Sequence, residues 1–125
     1  MIIGGVAGGA STAARLRRLD EQAEIILFEK GEYISYANCG LPYYIGGVIE
    51  ERERLFVQTP ESFKARFNIE VRIKSEVKAI EPENKQVVIK DWATGKTYRE
   101  SFDKLVLSPG AEPVLPPLPP SWDTT

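Results

Sequence analysis

The sequence contains no histidine and a single cysteine, Cys39. Without histidine the chain lacks the commonest general base and metal ligand, and one cysteine cannot complete a zinc site. Serine–histidine, cysteine–histidine and zinc hydrolases are therefore poor interpretations, and we predict no metal ligands. A lone cysteine cannot form an internal disulfide, which fits a protein of the reducing cytoplasm.

Long apolar runs and long runs of like charge are also missing from the sequence. No stretch approaches the roughly 18 apolar residues of a membrane span, and no signal peptide is visible. The formal net charge is −2, from 16 basic and 18 acidic residues. Neither nucleic acid nor an acidic membrane is therefore indicated as a partner. The 125 residues, 42% of them hydrophobic, suffice for the core of one ordinary domain.

The chain begins with a glycine-rich segment between a short strand and a helix. An apolar strand at residues 1–3 runs into Gly-Gly-Val-Ala-Gly-Gly at residues 4–9, and an alanine-rich helix is predicted from about Gly8 to Leu19. Glycines let the backbone approach a pyrophosphate, and N–H groups at the helix start attract its charge. Val6 stands where the dinucleotide-binding pattern has its middle glycine.

A second apolar strand, predicted at residues 24–28, ends beside an acidic residue. Glu29 follows this strand directly and lies 20 residues beyond Gly9. A carboxylate at this distance can accept both hydroxyls of an adenosine ribose. Strand, glycine turn, helix and acid together predict a βαβ nucleotide-binding unit.

The first helix has an apolar and a basic face. Four apolar positions, spaced three or four apart, are predicted to pack on a sheet: Gly9, Ala13, Leu16 and Leu19. The other face carries Arg15, Arg17 and Arg18. From charge pattern alone, a solvated helix face is the favoured interpretation of these arginines.

After residue 58 the sequence predicts one more helix and several strands. Thr59 is a good N-cap and Pro60 suits the first position of a short helix to about Phe67. Strands are predicted at residues 69–73, 77–80, 86–90 and 104–107, with a turn at Thr94-Gly95. The predicted fold is α/β: a Rossmann-like βαβ domain with a parallel sheet and an added antiparallel β-meander.

Polar and small neighbours distinguish Cys39 from an ordinary cysteine. An isolated cysteine is most often a small buried hydrophobe. Here Ser35 and Asn38 supply hydrogen-bonding groups, and Gly40 leaves steric room. If Cys39 opens a helix over residues 41–45, the helix dipole favours a thiolate. A thiolate near a flavin can accept electrons and pass them to a bound disulfide.

Several motifs in series carry a family resemblance. They are Gly-Gly-Val-Ala-Gly-Gly-Ala at 4–10, Phe-Glu-Lys at 28–30, Ser-Tyr-Ala-Asn-Cys-Gly-Leu-Pro-Tyr at 35–43, Thr-Pro-Glu-Ser-Phe at 59–63, Phe-Asp-Lys-Leu at 102–105 and Leu-Ser-Pro-Gly-Ala at 107–111. From Ile2 to about Pro113 the chain resembles the single-cysteine branch of the pyridine nucleotide-disulfide oxidoreductases. Within that branch it is most similar to coenzyme A-disulfide reductases, including those fused to a rhodanese domain. Val6 in place of the middle glycine is also typical of this branch.

The resemblance implies roles for individual residues. The residues implied to hold FAD are Gly4, Gly5, Ala7 and Gly9 at the pyrophosphate, Glu29 and Lys30 at the adenosine ribose, Val77 at the adenine, and Ser108, Pro109 and Gly110 at the flavin side. Cys39 is implied to be the redox nucleophile, with Ser35 and Asn38 orienting it or the pantetheine end of coenzyme A. Arg15 and Arg18 become candidate ligands of the coenzyme A phosphates.

The implied reaction transfers electrons from NADH or NADPH through FAD to a disulfide between Cys39 and coenzyme A. Two other chemistries stay open: an NADH oxidase or peroxidase in which Cys39 is a sulfenic acid, and a persulfide or polysulfide reductase. From a different class, the chain is a non-catalytic nucleotide-binding module indifferent to Cys39. A remnant that binds no ligand is the least informative alternative.

The family pattern is incomplete in this sequence. Residues 1–112 are predicted to form the N-terminal part of the FAD-binding domain, and 113–125 a proline-rich tail or truncated linker. The sequence has no second glycine fingerprint for NAD(P)H and no Gly-Asp dipeptide. We therefore expect the isolated chain to retain FAD partly or not at all and to show negligible NADH-dependent turnover. Homodimers are expected only of the full-length protein.

Overall fold

A computed structural model describes residues 1–112 together with Val114 and Pro117. The predicted proline-rich tail thus lies almost wholly outside the described residues. Val114 and Pro117 are both exposed.

Strands and helices alternate along the first part of the chain, and strands dominate the last. The strands are β1 (Ile2–Ile3), β2 (Ile26–Phe28), β3 (Glu70–Arg72), β4 (Ser75–Glu81), β5 (Gln86–Asp91), β6 (Thr97–Ser101) and β7 (Val106–Leu107). The α-helices are α1 (Ala7–Leu19), α2 (Leu41–Ile45) and α3 (Pro60–Phe67). Short 3₁₀ helices occupy Asn38–Gly40 and Arg52–Leu55.

Four strands form a parallel sheet in the order β3-β2-β1-β7. All three residues of β2 are buried, as expected of a strand near the centre of a parallel sheet whose two faces are both covered. Strands β4, β5 and β6 form a separate antiparallel sheet, with Gly95 at positive φ in the turn between β5 and β6. The predicted Rossmann-like fold with an added meander is therefore confirmed, although several strands are shorter than predicted.

Two hydrophobic cores lie on opposite faces of β2. One contains Leu27 with α1, α3 and β1, and the other contains Ile26 and Phe28 with the meander residues Val87 and Ile89. The alternation along β2 explains why one short strand contributes to both cores. The strand is therefore the element on which the two sheets are assembled.

The apolar face of α1 is shorter than predicted. Gly9 and Ala13 are buried as expected, but Leu16 is 38% exposed and Leu19 is 65% exposed. The strand β1 beneath the helix has only two residues, so the last turns of a helix of 13 residues extend past the sheet. The prediction that Leu19 packs on the sheet is wrong for this reason.

Two arginines connect elements that are distant in sequence. Arg17 donates hydrogen bonds to four backbone carbonyls, two of them at Phe67 and Asn68 at the C-terminal end of α3. Of the three arginines predicted to be solvated, Arg17 is thus a structural exception. Arg72 on β3 donates to Glu70 and to Glu100 on β6, both at 2.6 Å. Burial opposes its charge, yet these hydrogen bonds raise the pKa of Arg72 above its ordinary value.

The predicted N-terminus of α3 is confirmed in detail. The Thr59 hydroxyl accepts from the Ser62 N–H, and the Ser62 hydroxyl accepts from the Thr59 N–H. This reciprocal pair satisfies two N–H groups that a helix start otherwise leaves without partners. Pro60 occupies the first turn, where its missing N–H costs no hydrogen bond.

Candidate functional site

The glycine turn between β1 and α1 is packed against backbone on two sides. Gly4 has φ +94°, and a Cβ placed on it would overlap the carbonyl oxygen of Ser108. A Cβ on Gly9 would likewise overlap the carbonyl oxygen of Gly4. Neither position tolerates a side chain, because backbone atoms cannot rotate away. The sequence prediction of a turn that needs glycine thus has a concrete steric cause.

Glu29 projects a buried carboxylate beneath this turn. The residue is 8% exposed, and its Oε2 accepts from the Gly5 N–H at 2.7 Å. Its Oε1 accepts from the Gly31 N–H at 2.8 Å. Each oxygen keeps a further lone pair, so the carboxylate can accept hydroxyl groups while it holds the two loops in place. Glu29 lies at the carboxyl end of β2, as predicted.

The segment after β7 forms the other side of the turn. The Ser108 N–H donates to the Ile3 carbonyl at 2.8 Å, which continues the pairing of β7 with β1. Farther along, Glu112 accepts from Lys30 Nζ at 2.7 Å. This exposed ion pair connects the segment to the end of β2. It raises the pKa of Lys30 and lowers the pKa of Glu112, in both cases chiefly through the hydrogen bond.

These elements surround an open cleft of about 750 Å³. Its size lies within the roughly 300–1,000 Å³ typical of small-molecule and cofactor sites. Seven predicted site residues line it: Ala7, Glu29, Lys30, Asn38, Ser108, Pro109 and Gly110. We call the turn at residues 4–9, Glu29 and residues 108–110 the nucleotide cradle. The structure thus brings together, at one edge of the parallel sheet, residues that are up to 106 positions apart in the sequence.

The opposite wall of the cleft contains three residues that sequence reasoning missed. The rings of Tyr33 and Phe56 stack with centroids 4.6 Å apart and planes 16° apart. The Arg52 guanidinium carbon lies 5.0 Å from the centre of the Tyr33 ring. All three side chains line the cleft. No spacing pattern in the sequence predicts these contacts, because they join segments about 20 residues apart in the sequence.

Cys39 lies beside the cleft and not among its lining residues. Its side chain is exposed, in the 3₁₀ turn Asn38–Gly40 that leads directly into α2. Cys39 therefore precedes the α-helix and does not open it, unlike the arrangement considered from sequence. We call residues 38–45 the redox segment. Two residues of this segment line the cleft: Asn38, directly before Cys39, and Leu41, two positions after it.

Ser35 acts through its backbone in this structure. It has φ +47°, a backbone conformation that residues other than glycine seldom adopt. Its N–H donates to Gly5 at 2.9 Å, and its carbonyl accepts from Val57 at 2.9 Å. Ser35 thereby connects the glycine turn with the chain that leads to Cys39.

Eight predicted site residues are not among those that line the cleft: Gly4, Gly5, Gly9, Arg15, Arg18, Ser35, Cys39 and Val77. Val77 packs on the core of Ile26 and Phe28 within β4, next to an irregularity in its pairing with β5. Arg15 and Arg18 are exposed on α1. Neither arginine contributes to the lining of the cleft.

Within residues 1–112, 114 and 117, no group of three or more acidic or cysteine side chains is placed to hold a metal ion. In the same residues, no helix is both long and apolar enough to cross a membrane.

The chain matches one family model, Pyridine nucleotide-disulphide oxidoreductase, over residues 1–124. A curated relative, the coenzyme A disulfide reductase of Staphylococcus epidermidis, is 48% identical over 111 residues, which are 89% of this chain and 25% of the relative. The chain therefore spans about a quarter of the length of the curated relatives it matches.

Solved structures with the same fold extend the comparison. Reduced Bacillus anthracis CoADR-RHD is 57% identical with a TM-score of 0.92, over 99% of this chain and 22% of the other. An NAD-dependent persulfide reductase from A. fulgidus is 37% identical with a TM-score of 0.87, over 94% of this chain and 22% of the other.

Proposed function

The chain belongs to the pyridine nucleotide-disulphide oxidoreductase family, an enzyme family, and from this premise we propose that it binds FAD in the cradle and reduces a small-molecule disulfide at Cys39. Coenzyme A disulfide is the proposed substrate, and NADH or NADPH the proposed electron donor. The exposure of Cys39 beside a cleft of cofactor size is the observation that carries this proposal.

The residues of the cradle fit FAD by steric and chemical criteria. Gly4 and Gly9 have no room for a side chain, so β1, the turn and α1 pack closely together. The exposed Ala7 and Gly8 line the cleft at the start of α1, which suits close approach of a pyrophosphate to the turn. The buried Glu29 carboxylate offers free lone pairs to ribose hydroxyls. Gly5, Ala7 and Lys30 complete the proposed adenosine and pyrophosphate contacts, while the backbone of Val77 is assigned to the adenine.

Residues 108–110 are proposed to face the flavin. When bound, FAD supplies two-electron transfer between a nicotinamide and a sulfur centre. Ser108, Pro109 and Gly110 line the cleft at the carboxyl end of β7, which is where open α/β sheets hold their ligands. Their contribution is to shape and close the site beside Cys39.

Cys39 is the proposed nucleophile. Its thiolate attacks one sulfur of coenzyme A disulfide, so that a Cys39–coenzyme A disulfide forms and one coenzyme A thiolate leaves. Two electrons and one proton, supplied from NAD(P)H, then restore the Cys39 thiolate and release the second coenzyme A as thiol. An exposed thiol suits this cycle, because the incoming disulfide must reach the sulfur of Cys39.

Four polar residues are proposed to position the substrate. Asn38, which lines the cleft next to Cys39, and Ser35 are assigned to the thiol or the pantetheine end. Arg15 and Arg18 are assigned to the phosphates of coenzyme A, because both are exposed cations on α1. Arg17 is excluded from this group, since its guanidinium is held by backbone carbonyls.

The first half of the proposed cycle can be measured on this chain without flavin. The chain is incubated with coenzyme A disulfide, and its intact mass is followed over time. We expect one coenzyme A adduct per chain, faster than with glutathione disulfide, and none in Cys39→Ser. Arg15→Gln and Arg18→Gln should slow the coenzyme A reaction and leave the glutathione reaction unchanged. Equal rates for both disulfides in all forms would contradict the assigned substrate.

A persulfide is the second candidate substrate. The A. fulgidus neighbour carries that activity in its name, and the Cys39 side chain is equally open to a persulfide. In a disulfide-free assay with the FAD-loaded full-length protein, NADH consumption driven by a glutathione persulfide would favour this candidate. Consumption driven by oxygen alone would favour the oxidase chemistry. The reducing cytoplasm is the proposed compartment for each of these reactions.

A further inference from the structure

Four charged side chains line the cleft, and two of them are already paired. They are Glu29, Lys30, Glu32 and Arg52. Lys30 is neutralised by Glu112 at 2.7 Å, and Glu32 by Lys74 at 3.1 Å. The Glu29 carboxylate accepts hydrogen bonds from neutral backbone N–H groups, so these partners do not compensate a negative charge. Among the described residues, one uncompensated charge of each sign thus remains in the cleft.

The uncompensated positive charge belongs to Arg52. Within the described part of the chain, its guanidinium takes part in no hydrogen bond or ion pair, although it lies over the Tyr33 ring. Cation–π contact uses the ring face and leaves the N–H donors available. Arg52 therefore presents a forked donor group to the cleft.

The backbone holds Arg52 in this position. It begins the 3₁₀ helix Arg52–Leu55, whose last carbonyl accepts from the Ala37 N–H at 2.7 Å. Directly after it, Phe56 pairs with Tyr36 in an antiparallel bridge. Because Phe56 also stacks on Tyr33, the backbone and the aromatic rings fix the same wall.

We propose that Arg52 binds a phosphate group of the ligand that occupies the cleft. This inference rests on the proposed function, in which that ligand is a phosphorylated nucleotide. Glu29 accepts hydroxyl groups at one part of the cleft, and Arg52 binds the phosphate oxygens through two parallel N–H donors at another. A nucleotide carries both kinds of group, whereas a plain disulfide such as cystine carries neither a ribose nor a phosphate.

Two ligands could supply the phosphate: the diphosphate of FAD and the phosphates of coenzyme A. Their shared chemistry is a phosphate ester or diphosphate with full negative charge. Arg54 provides a matched control for both, because it lies in the same 3₁₀ helix, is paired with Glu51 at 3.1 Å and does not line the cleft. The variants Arg52→Gln and Arg54→Gln remove the same charge from positions two residues apart.

The first test uses inorganic pyrophosphate and needs neither flavin nor turnover. The side-chain Nε–H resonances of the ¹⁵N-labelled chain are followed by NMR, and Arg52→Gln identifies the Arg52 signal by its disappearance. We expect the Arg52 resonance to shift saturably with pyrophosphate while the Arg54 resonance stays in place. No shift at Arg52, or equal shifts at both arginines, would overturn the inference.

The second test distinguishes the two sources. Dissociation constants for FAD and riboflavin are compared in both variants, together with the rate of Cys39 adduct formation by coenzyme A disulfide. An FAD source predicts about tenfold weaker FAD binding in Arg52→Gln with riboflavin unchanged. A coenzyme A source predicts about tenfold slower adduct formation with FAD unchanged. If Arg52→Gln and Arg54→Gln agree in both measurements, the inference is wrong.

The outcomes also separate this inference from the proposed function. If the chain binds no FAD and Cys39 does not react with coenzyme A disulfide, the proposed function fails. A saturable pyrophosphate shift at Arg52 would still support the phosphate site. If FAD binds and Cys39 reacts, but Arg52 is indifferent to every phosphate tested, the function stands and this inference fails.

Discussion

The nucleotide cradle and the redox segment differ in how tightly the rest of the chain determines them. In the cradle, Gly4 and Gly9 are in contact with backbone, and the Glu29 carboxylate is buried with two N–H partners. In the redox segment, α2 has no buried residue and no side-chain cap, and Ile45 is 83% exposed. The cradle is thus held tightly by contacts within this chain, whereas the Cys39 thiol lies in a segment with few internal constraints.

The difference fits the roles proposed for the two parts. A pyrophosphate site requires backbone N–H groups in fixed positions, so their geometry must be built in before the ligand arrives. A thiol that exchanges with a disulfide must instead be reachable from solvent. Substitutions should therefore affect stability strongly in the cradle and weakly around Cys39.

The largest effect is expected from a methyl group at the cradle. In Gly9→Ala the new Cβ would overlap the Gly4 carbonyl, which cannot move without displacing the turn. We expect the free energy of unfolding in urea to fall by at least about 3 kcal/mol. In Gly40→Ala the new Cβ would lie 2.6 Å from the Leu55 side chain. That side chain can rotate, so the loss should be about 1 kcal/mol. Equal losses would contradict the comparison.

A smaller effect is expected when the buried carboxylate is removed. Glu29→Ala leaves the N–H groups of Gly5 and Gly31 without their partner, which should cost about 1–3 kcal/mol of unfolding free energy. Glu32→Ala is the control, because its carboxylate is 55% exposed and pairs only with Lys74. Exposed pairs contribute roughly 0–1 kcal/mol. A control as damaging as Glu29→Ala would show that burial of Glu29 is not the cause.

Cys39→Ser should leave stability nearly unchanged. The Cys39 side chain is exposed. The free energy of unfolding in urea should therefore lie within about 0.5 kcal/mol of that of the parent chain. The same variant is expected to form no coenzyme A adduct. A stability loss above about 1 kcal/mol would mean that the thiol has a packing role and that the redox segment is more constrained than its exposure indicates.

The smallest effect concerns the ion pair between Lys30 and Glu112. Its hydrogen bond lowers the pKa of Glu112, so the stabilisation it gives is present above the ordinary glutamate pKa and is lost as pH falls through the lowered value. The pKa of Lys30 is raised. The stabilisation by the ion pair is therefore fully present below the ordinary lysine pKa and is lost as the pH rises through the raised value. NMR titration of Glu112 should give a lowered midpoint that returns to normal in Lys30→Met. An identical midpoint in both forms would exclude the pairing in solution.

Local rules were enough to predict the cradle and the fold class. A few neighbouring residues, or a single βαβ unit, are enough to recognise the apolar strands, the glycine turn, the acid at Glu29 and the Thr59 cap. Residues 108–110 were predicted correctly to follow a strand, although β7 is only Val106–Leu107. These features are recognisable because the chemistry of a single short segment determines them.

Contacts between irregular segments were not predictable in the same way. Arg17 looked solvated because its carbonyl partners at Phe67 and Asn68 are about 50 residues away. The wall of Tyr33, Arg52 and Phe56 depends on a bridge between two stretches without periodicity. The role of Cys39 came from family resemblance, since its neighbours alone allow several chemistries.

We propose above all that the cradle binds FAD through Glu29 independently of Cys39. Isothermal titration with FAD tests this most directly, because it detects complexes too weak to survive desalting. We predict saturable binding of one FAD per chain, unchanged in Cys39→Ser and weakened at least about tenfold in Glu29→Gln, equivalent to about 1.4 kcal/mol. An absence of saturable binding, or equal affinity in Glu29→Gln and the parent chain, would contradict the account.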